Sequence, residues 1–383
     1  MKRIGLCIVY KNWNYGSILQ SYATLLKLQE LGIDYEIIRY ERRKNINYLV
    51  TSFVRLFNRD MLYSKLRKLR HSIGKKMHKD FLLNDRIRSN IFKKFVNENF
   101  GKFSVVIHRF KELSEYAEQF DAVLVGSDQL WLPSGLATNF FNLMFVPDKV
   151  KKVAYSTSFG VKEIPFYQKR RTIKYLNRIE YISVREHSGQ AIVKRLTGRE
   201  VPVILDPTMI ISKELWDRSI PCRRIIDEDY IFCYFLGNNV KQRKETEKLS
   251  KNTGLKIVTL RHMDEYIKKD EDFGDYAPYD IGPAEFVNLI RYASYVCTDS
   301  FHGTVFSIIY HKQFISFNRY NSGKNSRNSR LDTLFLQLGI NRRFKNNIVE
   351  EIEKPIDYDK IEKNIKELRD KSSEYLVGAI WEN

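Results

Sequence analysis

Short apolar runs recur along the chain, each closing on a turn rich in Gly, Ser, Asn or Asp. Most are followed by apolar residues three or four apart. Ile4–Tyr10 is such a run; Asn12–Gly16 is its turn, and Ser17–Glu30 has helical spacing that ends at Gly32. Tyr35–Tyr40 predicts the next strand. A run apolar at every position fits a parallel strand covered on both faces, and the spacing after it fits an amphipathic helix. The pattern returns at Asp121–Trp131, Lys152–Gly160 and Tyr181–Gln190, and Val201–Thr208 predicts the last strand of the first half. A second series starts at Tyr230–Gly237. It continues through a helix over about 240–253, strand Leu255–Leu260, helix Pro283–Ala293 and strands Tyr295–Thr298 and Phe314–Asn318. Between the last two strands the chain turns through Asp299–Gly303 and predicts a helix over Thr304–Tyr310. Two such series predict an α/β fold of two Rossmann-like domains facing a cleft. The expected divisions are 1–207, 208–345 and a helical tail over 346–383, whose Ile361, Ile365, Leu368 and Leu376 pack back on the first domain.

One segment breaks the rhythm. From Arg39 to Phe95 there are 17 Lys and Arg against 4 Asp and Glu, the larger part of a net charge of +19. Residues 41–100 read as a basic helical insertion in the first domain. Leu62, Leu66, Leu69, Ile73 and Met77 predict an amphipathic helix whose apolar stripe packs on the body of the protein. A basic patch attracts polyanions. Without a helix-turn-helix, zinc-finger or RNP pattern nucleic acid is not expected, and residues 41–95 are the candidate contact with an anionic membrane. No apolar run reaches the length of a membrane span. Met1–Tyr10 reads as a first strand rather than a leader, because its short apolar stretch runs into Lys11–Gly16 without a cleavage site. Cys7, Cys222, Cys233 and Cys297 show neither a disulfide framework nor zinc spacing, which fits a reducing cytoplasm. The expected location is cytoplasmic, with peripheral contact at the inner face of the membrane.

The candidate chemistry lies where strands end. His302 and Gly303 fall at a helix N-terminus, where backbone N–H groups and the helix dipole favour an anion. The alternative for His302 is a turn histidine that caps the helix. Asn14 and Gly16 follow the first strand, Gly126, Ser127, Asp128 and Gln129 the Asp121 run, and Ser158 the Lys152 run. For Asn14 and Gly16, capping and turn chemistry is the alternative to ligand binding. Arg185 is a candidate clamp for phosphate or carboxylate, or else the partner of Glu186 or another carboxylate. Ser322–Arg330 is a Gly/Ser/Asn-rich basic loop able to close over an anion. The absence of GxGxxG argues against a dinucleotide and the absence of GxSxG against a serine hydrolase. No His/Asp/Glu cluster calls for a metal.

Taken in order, Asn14–Tyr22, Gly126–Trp131, Ala154–Gly160, Ile182–Glu186, Leu205–Pro207 and Thr298–Gly303 resemble the polysaccharide pyruvyl transferases over roughly residues 1–335. The resemblance implies a GT-B-like fold and, with no cofactor, transfer of pyruvate from phosphoenolpyruvate to a sugar diol as a ketal in cell-surface or exopolysaccharide synthesis. It makes His302 the general acid and Arg185 a donor-binding residue. Where better-described members carry Arg two positions before the His, this chain has Ser300. Arg330, Arg319, Lys312 and Arg261 are the candidates for the missing charge. Ser300 and Gly303 join the expected donor site, and Asp128 is a candidate base. Asn14, Gly16, Ser127, Gln129 and Ser158 are expected to meet the acceptor, a sugar or lipid-linked oligosaccharide. The alternatives are a GT-B-type nucleotide-sugar glycosyltransferase and a non-catalytic carbohydrate-binding relative.

Overall fold

Among the described residues ten strands, most of their residues buried, form two sheets in which every strand pairing is parallel. The computed structural model describes residues 2–42, 69, 72–73, 77–133, 135–262, 266–319 and 329–382. The first sheet holds β1 (Arg3–Cys7), β2 (Asp34–Tyr40), β3 (Phe103–Ile107), β4 (Ala122–Val125), β5 (Lys151–Thr157) and β6 (Tyr181–Val184), in the order β3-β2-β1-β4-β5-β6. The second holds β7 (Tyr230–Tyr234), β8 (Lys256–Thr259), β9 (Tyr295–Thr298) and β10 (Gln313–Ser316), in the order β10-β9-β7-β8. Parallel neighbours need crossover connections, and the helices that supply them cover the sheet faces.

In the first half the helices are α1 (Tyr15–Glu30), α2 (Lys79–Asn99), α3 (Phe110–Ala117), α4 (Lys169–Arg178), α5 (His187–Thr197), α6 (Pro207–Ile210) and α7 (Lys213–Ser219). In the second they are α8 (Val240–Thr253), α9 (Pro283–Arg291), α10 (Phe301–Ile309), α11 (Ser329–Leu338), α12 (Ile348–Ile352) and α13 (Tyr358–Trp381). The largest apolar cluster runs through both halves without a break. Its centre is aromatic. Tyr15 of α1 stacks on Phe286 of α9 at 4.6 Å and lies 4.9 Å from Phe92 of α2, while its hydroxyl donates to the Ile281 carbonyl at 2.8 Å. Arg88 of α2 also crosses between halves, donating to the carbonyls of Arg261 (2.6 Å) and Pro278 (3.0 Å). The last helix, α13, straps the first half: Ser372 Oγ accepts from Leu205 N–H at 3.0 Å, Arg369 donates to the Met209 carbonyl, and the Tyr375 hydroxyl to the Ala154 carbonyl.

Several expectations are corrected. Val201–Thr208 is not a strand; Val203 makes one bridge to Val184, and Asp206 then caps α6, accepting from Thr208 N–H. The edge strand β3 departs from the expected pattern, with Ser104 buried and Val105 and Val106 facing outward, the reverse of the alternation that marks a half-buried strand. Helix α10 begins at Phe301 rather than Thr304, since Ser300 caps it. Of the apolar stripe expected to pack on the body, Leu69, Ile73 and Met77 are exposed, and Leu62 and Leu66 lie outside the described residues. The contact with the body comes instead from α2, through Phe81, Phe92, Phe95 and Val96. Most of the segment 41–95 expected to meet a membrane is likewise outside the described residues.

Phe286 is fully buried among Tyr15, Phe232, Tyr234 and Phe306. Phe286→Ala is expected to lower the unfolding free energy by about 3–5 kcal/mol, read from urea denaturation followed by tryptophan fluorescence.

Candidate active site

The carboxyl edges of the two sheets face each other, and the loops leaving β1, β4, β6 and β9 meet there. From the second half comes His302, in the first turn of α10. Ser300 caps that turn by accepting from Gly303 N–H at 3.3 Å, and a methyl group on Gly303 would lie 2.6 Å from Thr298 Oγ1. Glycine is therefore what lets the helix start so close to its strand. Asp299 ties the neighbouring loop down, its carboxylate accepting from the N–H groups of Leu236 (2.7 Å) and Gly237 (2.9 Å). These contacts hold the His302 ring over the first turn of α1, where a methyl group on Gly16 would overlap Nδ1.

The first half supplies the charges. Asp206 is wholly buried. Its Oδ1 accepts from the Thr208 N–H (3.0 Å) and hydroxyl (2.7 Å), and its Oδ2 is shared among the Arg185 guanidinium, Ser127 Oγ at 3.1 Å and His302 Nε2 at 3.5 Å. Burial alone would raise the Asp206 pKa, but His302 and Arg185 outweigh it and hold the carboxyl well below the usual range. Asp128 resembles it. Burial opposes ionisation, while Arg185 at 3.6 Å, His302 and the hydroxyl of Ser17 at 2.5 Å bring its pKa below the ordinary value. Asp128 sits at φ 85°, a conformation costly for any residue but glycine, where the chain leaves β4.

Cations are in excess on the other side of this pair. Arg185 and Arg330 lie over the ring of Phe301, at 4.7 and 5.6 Å. Burial, then the like charges of Arg185 and Arg319, push the pKa of Arg330 down. Among the described residues, Arg330 has no carboxylate at ion-pair distance. Arg185 Nε and Nη2, Arg330 Nε, His302 Nε2 and Gln129 Nε2 are buried donors with no hydrogen-bond partner among the described residues. Leaving one such group unsatisfied costs about 1–3 kcal/mol. Several together, beside a guanidinium that its neighbours repel, make a site that an anion would complete.

The expected site residues fall into three sets. His302, Arg185, Arg330, Asp128 and Gln129 converge with their polar groups wholly or partly unspent, and Arg319 stands beside them with its guanidinium 3.8 Å from Asp299. Asn14 caps α1 by accepting from Ser17 N–H, Ser127 donates to the Ser156 carbonyl and Asp206, Ser158 donates to Glu186, and Ser300 and Gly303 cap α10. Gly16 gives room to His302. Arg185 is partnered by Asp206 and Asp128 rather than Glu186. Lys312 and Arg261 do not reach the cluster. Lys312 lies at the amino end of β10, opposite the carboxyl edge that carries the site, and Arg261 donates to Tyr279 and the Glu271 carbonyl. Of the expected closing loop, residues 322–328 lie outside the described residues. Asp206 and Phe301 went unassigned. The Asp-Pro-Thr sequence signals a helix cap, but nothing local shows that the same carboxylate meets Arg185 and His302.

Removing one partner of a buried pair strands the other. Asp206→Asn is expected to cost about 3–5 kcal/mol of stability. The depressed pKa values of Asp206 and Asp128 set the pH dependence. Their contribution is complete above the unfolded carboxylate value of about 3.9 and is lost as pH falls through the lower folded values. Urea titrations across acid pH should therefore show a steeper decline for the parent chain than for Asp206→Asn. Gly16→Ala should shift the imidazole proton signals of His302, assigned by comparison with His302→Gln.

The profile of the family described as Polysaccharide pyruvyl transferase matches residues 14–321. No protein of curated function matches the chain. Among solved structures it is similar to the UDP-GlcNAc 2-epimerase of Methanocaldococcus jannaschii, with 12% identity, 95% of this chain and 91% of that one covered, and a TM-score of 0.50. It is similar to the enzyme of Neisseria meningitidis bound to UDP-GlcNAc, with 11% identity, both chains covered in full, and a TM-score of 0.50. A putative UDP-N-acetylglucosamine 2-epimerase from Listeria monocytogenes gives 10% identity, 97% and 90% coverage, and a TM-score of 0.50. At these identities the likeness is one of fold alone, two Rossmann-like halves in the GT-B manner. The family match spans most of the chain and includes Asp128, Arg185, Asp206 and His302, so this chain belongs to the polysaccharide pyruvyl transferase family.

Proposed function

We propose that the chain transfers pyruvate from phosphoenolpyruvate to two hydroxyls of a sugar, forming a ketal and releasing phosphate. The observation that carries this reading is the buried, under-partnered cation cluster of Arg185 and Arg330 beside His302. Phosphoenolpyruvate offers a carboxylate and a phosphate to such a cluster, with Arg319 adding to the field. His302, held by Asp206, protonates the methylene carbon, and the positive charge that develops on the adjacent carbon makes it open to attack. One sugar hydroxyl adds there and a second displaces phosphate; of the two hydroxyl protons lost, one is matched by the proton gained at carbon and the other leaves with the phosphate as hydrogen phosphate. A carboxylate with a depressed pKa is a poor base, so the part fitted to Asp128 is to accept from an acceptor hydroxyl as it now accepts from that of Ser17. Gln129 offers its free amide to the same acceptor. The chemistry calls for no metal. An acceptor from cell-surface or exopolysaccharide synthesis, free or lipid-linked, is the substrate class this reading takes.

Phosphoenolpyruvate is expected to raise the melting temperature of the parent chain, as any ligand of the native state does. Arg330→Met, which strands no carboxylate, should abolish the rise. His302→Gln should keep the rise but slow phosphate release by about 10²–10⁴-fold. Stabilisation by a nucleotide sugar instead would favour the glycosyltransferase alternative, and stabilisation by sugars alone a non-catalytic binding protein.

A further inference from the structure

The loop that leaves β5 passes the site at Ser158 and Gly160, then turns outward through Val161–Gln168 into α4. Ile164 is buried and anchors this turn, and Gln168 N–H donates to the Pro165 carbonyl at 2.9 Å. The turn therefore holds two aromatic side chains in the solvent. Phe166 is 86% exposed, the most of any large hydrophobic among the described residues, and Tyr167 is 63% exposed. Isolated exposed apolar residues are ordinary, but a fixed aromatic pair next to one-signed charge is not. From Val161 to Arg178 there are six Lys and Arg against one acid, Glu163. Two of the six are engaged: Arg178 pairs with Asp148 at 2.8 Å, and Arg171 donates to the Leu136 carbonyl and to Asn139. Lys162, Lys169, Arg170 and Lys174 are exposed and have no carboxylate partner among the described residues. Helix α4 buries Thr172, Tyr175 and Leu176, which directs Lys169, Arg170 and Lys174 outward on one face. The Lys169 ammonium lies 5.9 Å from the Phe166 ring centre, so charge and aromatic surface are contiguous.

We propose that Phe166, Tyr167 and the outer face of α4 form a docking surface for an anionic lipid bilayer. Aromatic rings settle at the headgroup level, and lysine and arginine beside them meet acidic lipid. A second copy of the chain is a poorer occupant. A two-fold contact would set this patch against itself and bring like charges together. The surface is distinct from residues 41–95 and does not depend on which donor the site takes. Because the docking loop begins at the site, a docked protein would hold the active-site edge of its first sheet near the headgroups. Under the reading proposed above, that favours an acceptor carried on a lipid.

The test is flotation of the whole protein with vesicles of phosphatidylcholine alone or mixed with phosphatidylglycerol. Binding is expected only to the mixed vesicles and should weaken with salt. Lys169→Gln/Arg170→Gln/Lys174→Gln should weaken it on the order of a hundredfold, about fivefold for each charge. Phe166→Ser/Tyr167→Ser should weaken it more than tenfold, with the melting temperature and its response to phosphoenolpyruvate unchanged. No binding to the mixed vesicles, or binding that ignores both sets of substitutions, would overturn the proposal. So would a concentration-dependent dimer that Phe166→Ser/Tyr167→Ser abolishes.

Discussion

The site depends on one carboxylate that never meets solvent. Asp206 is shared by a guanidinium from the first half and an imidazole from the second, while Thr208 fixes its other oxygen. An unpaired guanidinium at the depth of Arg185 would be too costly to keep, so this pairing is what allows a permanent cation at the end of β6. It also ties local structure to the site. The residue that caps α6 is the one that balances Arg185, and Leu205, one position earlier, is hydrogen-bonded to α13. The C-terminal strap and the charge cluster are thus joined through two consecutive residues.

Around that carboxylate the electrostatics are unequal by design of the fold. Arg185 is hydrogen-bonded through one nitrogen, meets Asp128 through a second only at ion-pair distance and has no hydrogen bond on the third, and Arg330 is pressed by its own kind over the face of Phe301. Such an arrangement lowers stability unless a ligand completes it, which is the usual trade between a stable interior and a prepared site. The second buried guanidinium of the cluster, Arg330, comes from the start of α11. Two positions before His302, Ser300 caps α10.

Much of the architecture was legible. Strands covered on both faces must be apolar at every position, so β1, β4, β7 and β9 could be read directly. The failures have physical causes. Strand β3 is an edge strand with outward valines, Val201–Leu205 is buried without being a strand, and the start of α10 turned on a serine cap. At the site, His302 and Arg185 stood out by their places at strand ends and by family resemblance. The role of Asp206 did not, because it arises only when distant segments are brought together. Nor could sequence tell which polar residues would be consumed internally; Asn14, Ser127 and Ser158 look no different along the chain from Gln129.

The bare glycine at position 16 has a consequence for motion. It belongs to a helix of the first half, yet the ring it makes room for belongs to the second, and the carboxylate behind that ring belongs to the first again. The imidazole is interlocked between two surfaces of the opposite half. Any swing that parted the halves would withdraw it from both at once, leaving the imidazole without its carboxylate, whereas Arg185 would keep Asp206 because both belong to the first half. The seat of the imidazole and its carboxylate are therefore kept or lost together, as one element of the packing between the halves.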